Sequence, residues 1–278
     1  MYYLILYFFV YGFLGWCTEV AFAACKERKF VNRGFLNGPI CPIYGIGVGI
    51  VVQFLTPYKD NFILLYVTSV VLVTALEWVT GFILEKVFHN KWWDYSKMPL
   101  NLNGYVCRLF SLIWGVSCVA IVELIHPVIH KLLAWFPKPI GIGLIVVLGI
   151  AVLVDLYVTV STILKMNKHL EKMKEIAADL HRISDELGES IYENVVEVLE
   201  RREEWKLKVQ EASGEVKERM QDVSDEVIDR IAELKKKYRE VGGKGLHVSK
   251  RLIKAFPRIQ SKKYREAMED LKKHLKRK

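Results

Sequence analysis

The sequence predicts an all-α membrane protein: a polytopic bundle of about five spans followed by a long cytoplasmic helical tail. Three observations predict it. The composition changes abruptly near Lys165, from Leu, Ile, Val, Phe, Tyr and Trp before it to Lys, Glu and Arg after it. Five apolar stretches before that point approach the ~20 residues a helix needs to cross a bilayer. After it, apolar residues recur in steps of three and four with charges between them. The expected domains are a bundle over 1–164, a cytoplasmic heptad-patterned region over 165–241, and a hinge with a basic amphipathic tail over 242–278.

The first span is expected over Tyr2–Ala24. The chain lacks a basic leader and an A-x-A cleavage site, so this run reads as a membrane helix. The second, Pro39–Leu55, is short and interrupted. Pro39, Pro42, Gly45 and Gly49 weaken an ordinary helix. Broken helices occur at membrane depth where backbone is buried in protein or lines a cavity. A distorted helix entry, or a packing face through Gly45 and Gly49, is the other reading. The remaining spans are expected over Phe62–Leu84, Tyr105–Ile125 and Ile140–Leu164.

Basic residues concentrate in alternate loops. Lys26, Arg28, Lys29 and Arg33 lie in the first, and Lys86, Lys91 and Lys97 in the third. This places the N-terminus outside and the tail in the cytoplasm. Trp92–Trp93 and Trp135–Phe136 read as interfacial aromatic belts.

Charges inside spans are costly and usually face the bundle interior. The candidates are Glu19, Glu77, Glu85, Arg108, Glu123 and Asp155. At 1.5 Å per residue, Glu19, Glu77, Glu85 and Arg108 fall in the inner half of the bundle. Two readings follow: an ion pair between Arg108 and one of the acids, or a substrate or proton pathway. The candidate binding residues are Glu19, Glu77 and Arg108, with Asn37 and Tyr44 from the broken span and Asp94 and Asn103 from the third loop. Asp94 and Asn103 are turn or cap residues first and site residues second.

The tail stripe includes Leu170, Met173, Ala177 and Leu180, then Leu187, Ile191, Val195 and Val198, then Trp205, Val209, Ala212 and Val216. It continues through Met220, Val223, Val227, Ile231, Leu234 and Tyr238. A coiled coil is expected, formed between chains or folded back on itself. Gly242-Gly243-Lys244-Gly245 reads as a hinge. The basic end beyond it is expected to meet the anionic inner leaflet, worth about 1 kcal/mol per basic residue near the surface. Nucleic acid is not an expected partner, since no motif for it occurs. A homo-oligomer through the tail is open.

The five cysteines form no C-x-x-C pair and read as free thiols. His126 and His130 have a helical metal-ligand spacing without a third ligand, so neither metal nor cofactor is expected. No catalytic triad spacing or G-x-S-x-G stands out, so the chain is not read as an enzyme.

Several stretches together carry a resemblance. They are Gly15-Trp16 with Glu19, the run Asn32-Arg33-Gly34-Phe35-Leu36-Asn37-Gly38-Pro39 leading to Pro42-Ile43-Tyr44-Gly45, then Glu77 and Gly81, Trp93-Asp94-Tyr95-Ser96, and Asn103-Gly104 before Cys107. Over roughly residues 1–135 the chain resembles the bacterial membrane family of type IV ABC transporters, the CmpB-type permeases. The resemblance implies a permease-like transport component. The sequence contains no G-x-x-x-x-G-K-[ST] phosphate loop, so the ATPase would be a separate protein. A membrane-anchored coiled-coil scaffold is the alternative function, with an intramembrane enzyme behind it.

Overall fold

The computed structural model describes residues 1–200 and 213–276. Helix α1 spans Tyr2–Glu27 and α2 spans Pro42–Leu55, followed by a 3-10 turn over Thr56–Tyr58. Helix α3 spans Phe62–Phe88. A fourth rod consists of α4 (Arg108–Ala120), a π-helical turn (Ile121–Ile125) and α5 (His126–Trp135). Helix α6 spans Lys138–Glu200, α7 Ser213–Ala255 and α8 Arg265–Lys276. Four two-residue strands complete the described elements: β1 (Asn90–Lys91), β2 (Asn101–Leu102), β3 (Val106–Cys107) and β4 (Gln260–Ser261). The fold class is all-α, and the apolar helices make this a membrane protein.

Four described helices are long and apolar enough to cross a membrane: Tyr2–Glu27, Phe62–Phe88, Arg108–Trp135 and the first part of α6. The second expected span is not among them. Its helix starts only at Pro42, which occupies the first turn, where a missing N–H costs nothing. At 1.5 Å per residue α2 is about 21 Å long. The amide of Cys41, just ahead of it, donates to the carbonyl of Gly12 at 2.9 Å. Gly12 lies about 15 Å along α1 from Tyr2. So α2 enters halfway along α1, and the chain from Arg28 to Cys41 covers the remaining length without helix.

Glycines make the close contact between α1 and α2. A Cβ at Gly15 would run into the Tyr44 ring, and one at Gly45 into the Phe8 carbonyl. Tyr7 and Tyr11 of α1 then pack with Val48 and Val52 of α2. A second core joins Val51 and Leu55 to Leu65, Cys118, Val119 and Val122. Outward side chains such as Ile142, Val147, Ile150, Leu153 and Val154 of α6 stay exposed, as lipid-facing residues do in a bundle without water around it.

The chain divides into two compact units. The first is Met1–Lys165 together with Val248–Arg265. Within it, β4 pairs antiparallel with β1, with Ser261 opposite Asn90. Phe256 stacks edge-on to Trp92 at 4.8 Å. Leu252, Ile253, Ile259 and Tyr264 are buried. Trp92 is therefore a core residue, 4% exposed, and not part of an aromatic belt. It sits between Phe35, Phe88 and Phe256. Trp135, the last residue of α5, is 86% exposed.

The second unit is Met166–His247 with Glu266–Lys278. In it Met166, Leu170, Met173, Ile176 and Ile183 form the buried stripe of α6. Helix α7 runs unbroken through Gly242, Gly243 and Gly245. The glycines serve close approach: a Cβ on Gly245 would lie 3.0 Å from His169 Cβ, and one on Gly242 3.5 Å from Met173 Cε. On α8, Ala267, Met268 and Leu271 are buried, and Tyr238 donates to Asp270 at 2.8 Å. The apolar face of this basic helix is thus used inside the fold. The stripe positions Trp205, Val209 and Ala212 lie outside the described residues, as do the side chains of the other stripe positions from Leu187 to Val223.

Candidate functional site

The non-helical stretch between α1 and α2 carries backbone polar groups that lipid cannot satisfy, and each unpaired group there costs several kcal/mol. Two side chains from distant parts of the chain, Asp155 and Arg251, and one from the stretch itself, Asn32, satisfy them. Asp155 of α6 accepts from the Asn37 amide at 3.0 Å, the Asn37 side chain at 2.7 Å and the Gly38 amide at 2.6 Å. Arg251 donates to the carbonyls of Gly34 (3.1 Å), Leu36 (2.9 Å) and Phe35 (2.9 Å). Asn32 accepts from the Gly34 amide at 3.0 Å and donates to the Asn37 carbonyl at 2.6 Å. An anion thus holds the amides of the break and a cation holds its carbonyls.

This braced segment positions the polar residues at its two ends. Trp16 Nε1 donates to Asn32 Oδ1 at 2.9 Å. The Tyr44 hydroxyl donates to Glu19 at 2.8 Å, and Arg33 lies 3.7 Å from the other Glu19 oxygen. Tyr44 reaches Glu19 because Gly15 leaves room for its ring. The ring also meets Trp114 of α4 edge-on at 6.0 Å.

On α3, Glu77 has a buried carboxylate oxygen without a hydrogen-bond partner, and the nearby Thr74 hydroxyl is likewise unpartnered. Tyr95, from the loop after α3, is influenced by both Glu77 and Glu19. Burial, then the Glu77 carboxylate, pushes its hydroxyl above the usual tyrosine range. Glu19 and Tyr44 are joined by their hydrogen bond, and the charges of both Glu19 and Glu77 bear on Tyr95.

Arg108 does not join these residues. It is the first residue of α4 and exposed, and among the described residues it makes no ion pair. The cations that do meet the acids are Arg33 with Glu19 and Lys262 with Glu85. Arg108 looked suitable because the fourth span was expected to start at Tyr105. In fact the chain stays in a hairpin until Cys107, with Asn101 opposite Cys107.

That hairpin loop is a compact lid of hydrogen bonds. Asn103 adopts φ 54° and Gly104 φ 74°, the left-handed turn that suits Asn and Gly. Trp93 Nε1 donates to the Tyr105 carbonyl at 2.8 Å, and Lys91 donates to the Asn103 carbonyl at 2.8 Å. Asp94 accepts from the Ser96 amide at 3.0 Å and also from its hydroxyl. Both Asp94 and Asn103 thus have turn roles. Tyr105 donates to Glu85 at 2.7 Å, and burial followed by that bond pushes its hydroxyl up to about 12.

Burial raises the Asp94 carboxyl, but the Ser96 hydrogen bonds and the Lys91 and Lys97 charges outweigh this and hold it below its ordinary value. Its charged form is thus favoured in the folded loop. The resulting stability is present above the unfolded value of about 3.9 and is lost as pH falls through the lower folded one. Thermal unfolding of the purified chain from neutral pH down is therefore expected to show a decline below about pH 4. Asp94→Asn is expected to start lower and flatten that decline, and equal slopes would refute the assignment.

A groove of about 360 Å³ between α1 and α2 is lined mostly by apolar residues, Phe8, Ile46 and Phe54 among them, with Gln53 as its polar member, and includes none of Glu19, Tyr44, Glu77 or Tyr95. Among the described residues no group of three or more His, Cys, Asp or Glu is placed to hold a metal ion. The roles of Asp155 and Arg251 escape sequence reasoning. The only signal was one buried acid in the fifth span and an arginine within a basic run.

No curated protein and no solved structure matches the chain. The family model described as Putative ABC-transporter type IV matches residues 6–160, more than half of the 278 residues, and the chain belongs to that family.

Proposed function

We propose that this chain is the permease-like component of a membrane transporter. Its substrate-handling site would comprise Glu19, Tyr44, Glu77 and Tyr95. The observation that carries this reading is the buried, unpartnered carboxylate oxygen of Glu77 beside the unpartnered Thr74 hydroxyl. A carboxylate oxygen buried at membrane depth without a partner is costly, and ionisable residues within spans mark substrate and ion pathways. The broken α2 supports it, since interrupted helices form binding sites in transport proteins. Family membership and the missing phosphate loop favour a separate ATPase subunit as the source of energy. The orientation favoured by the loop charges puts the N-terminus outside and the Glu27 end of α1 at the cytoplasm.

The test is complementation of a deletion strain. Glu19→Gln and Glu77→Gln are expected to reach wild-type levels in the membrane yet fail to restore the phenotype. Restoration by both variants at normal levels would sink the proposal. A scaffold role would instead survive both substitutions and disappear on removal of α7.

A further inference from the structure

Helix α1 ends at Glu27, and Arg28 closes it in the left-handed region at φ 51°. The chain then turns back along the helix it has just left. Two cations, one from each side of that turn, lie over a single phenyl ring. Lys26 Nζ, from the last turn of α1, is 5.9 Å from the Phe22 centroid. The Arg33 guanidinium, from the returning chain, is 5.5 Å from it. Phe22 is 58% exposed. Leu14, Thr18 and Ala21 are exposed as well, so this side of α1 is the one that lipid tails meet.

The positive charge at this turn is only partly neutralised. Lys29 pairs with Glu27 at 3.3 Å. Among the described residues no acid pairs with Lys26 or Arg28, and both are exposed. Arg33 Nε is buried without a hydrogen-bond partner. Its contact with Glu19 at 3.7 Å is a charge pair, too long for a hydrogen bond. Yet the backbone on both sides of Arg33 is fixed. The Asn32 side chain bonds Trp16, the Gly34 amide and the Asn37 carbonyl, and Arg251 holds the Gly34 carbonyl. A group held in place before binding loses little freedom when a ligand arrives.

We propose that Lys26, Arg28 and Arg33 bind the headgroup of an anionic phospholipid from the leaflet at the Glu27 end of α1, with its acyl chain along Phe22. The chemistry of the cations suits a phosphodiester: a guanidinium donates to phosphate oxygens through a planar fork, and an ammonium adds a compact charge. The exposed ring selects a lipid over free phosphate, since only a lipid brings an apolar chain to cover it. The Phe88 end of α3 offers a contrast. There Lys86 alone lies over the Phe82 ring, at 5.7 Å, and the adjacent Glu85 pairs with Lys262. The site lies in the turn after α1 and not in the basic C-terminal segment. It stands whether or not Glu19 and Glu77 handle a substrate.

The test uses the full chain in dodecylmaltoside micelles, titrated with phosphatidylglycerol, which is anionic, or phosphatidylcholine, which is zwitterionic. Native mass spectrometry counts the bound lipids. The wild type is expected to bind its first phosphatidylglycerol at least about tenfold more tightly than phosphatidylcholine. A basic residue near an anionic headgroup is worth a factor of about five in binding. Lys26→Gln is therefore expected to weaken phosphatidylglycerol binding about fivefold, and Lys26→Gln with Arg33→Gln about thirtyfold, both with phosphatidylcholine binding unchanged. If that double variant does not purify folded, Lys26→Gln with Arg28→Gln replaces it, since both side chains are exposed. Lys59→Gln with Lys131→Gln removes two exposed cations elsewhere and is expected to bind as wild type. Inorganic phosphate at the lipid's concentration is expected not to displace it. Four results would each overturn the proposal: equal wild-type affinity for the two lipids, unchanged phosphatidylglycerol affinity in the Lys26 variants, an equal loss in the Lys59 and Lys131 variant, or displacement by inorganic phosphate.

Discussion

Arg251→Ala is expected to lower the stability of the first unit by about 3 kcal/mol, on the scale of losing charge-assisted hydrogen bonds to buried acceptors. The guanidinium is largely removed from water, and it meets the carbonyls of Gly34, Phe35 and Leu36 within 3.1 Å. Alanine leaves all three acceptors without that donor in a stretch where lipid offers none. Arg251→Lys keeps the charge, but an ammonium lacks the planar fork that spans three carbonyls, so an intermediate loss is expected. Lys262→Ala provides the contrast. Lys262 pairs with Glu85, yet its side chain is 73% exposed, and exposed pairs contribute about 0–1 kcal/mol. Thermal unfolding of the purified full chain separates these cases. If Arg251→Ala melts with the wild type, the arginine is not a brace. An equal loss for Lys262→Ala would show that general docking of the segment matters more than this contact.

Much of this fold was legible in the sequence because lipid imposes a simple length and polarity rule. Four of the five expected spans emerge within long apolar helices whose starts agree within three residues, while the last two helices run ten residues or more past the expected ends Ile125 and Leu164. The interrupted second span was also legible, since Pro39 and Pro42 keep a helix from starting earlier and Gly45 marks a close contact. Long-range partners were not legible. Arg251 lies 215 residues from Leu36 and Asp155 lies 118 from Asn37, and no periodicity relates such positions. Apolar spacing around Leu252, Ile253 and Ile259 signalled an amphipathic helix but not the surface that covers it. The same limit explains Trp92. Two adjacent tryptophans near a span end read as a belt, whereas the Phe35 and Phe256 rings that bury Trp92 are distant in sequence. His126 and His130 were visible as a pair, but their hydrogen-bond partners Tyr11 and Tyr7 belong to a helix more than a hundred residues earlier.

The remaining large effect belongs to Asp155. Its two oxygens accept three hydrogen bonds from Asn37 and Gly38, and Thr159 donates to it at 3.3 Å. Asp155→Ala removes the acceptor of two backbone amides and a side-chain amide, of which the Gly38 amide is part-buried and the two Asn37 groups are exposed, and a buried donor left unpaired costs about 1–3 kcal/mol. A total of about 2 kcal/mol is expected, most of it from the part-buried Gly38 amide. Asp155→Asn keeps the shape but turns one acceptor into a donor that opposes an amide, so it is expected to recover only part of the loss. Asp155 and Arg251 brace the same short stretch from opposite ends of its peptide groups. Their double variant is therefore expected to lose less than the sum of the single losses, because the first removal already frees the segment. Cys41 gives an independent readout. It is 4% exposed and fixed to Gly12 by its amide, so it is expected to resist maleimide in a chain whose Cys17 and Cys25 are replaced by serine. Freeing the break in Asp155→Ala is expected to expose it and speed its labelling. Unchanged labelling together with an additive double variant would mean that Asp155 and Arg251 stabilise separate parts of the bundle and that α2 holds its position without them.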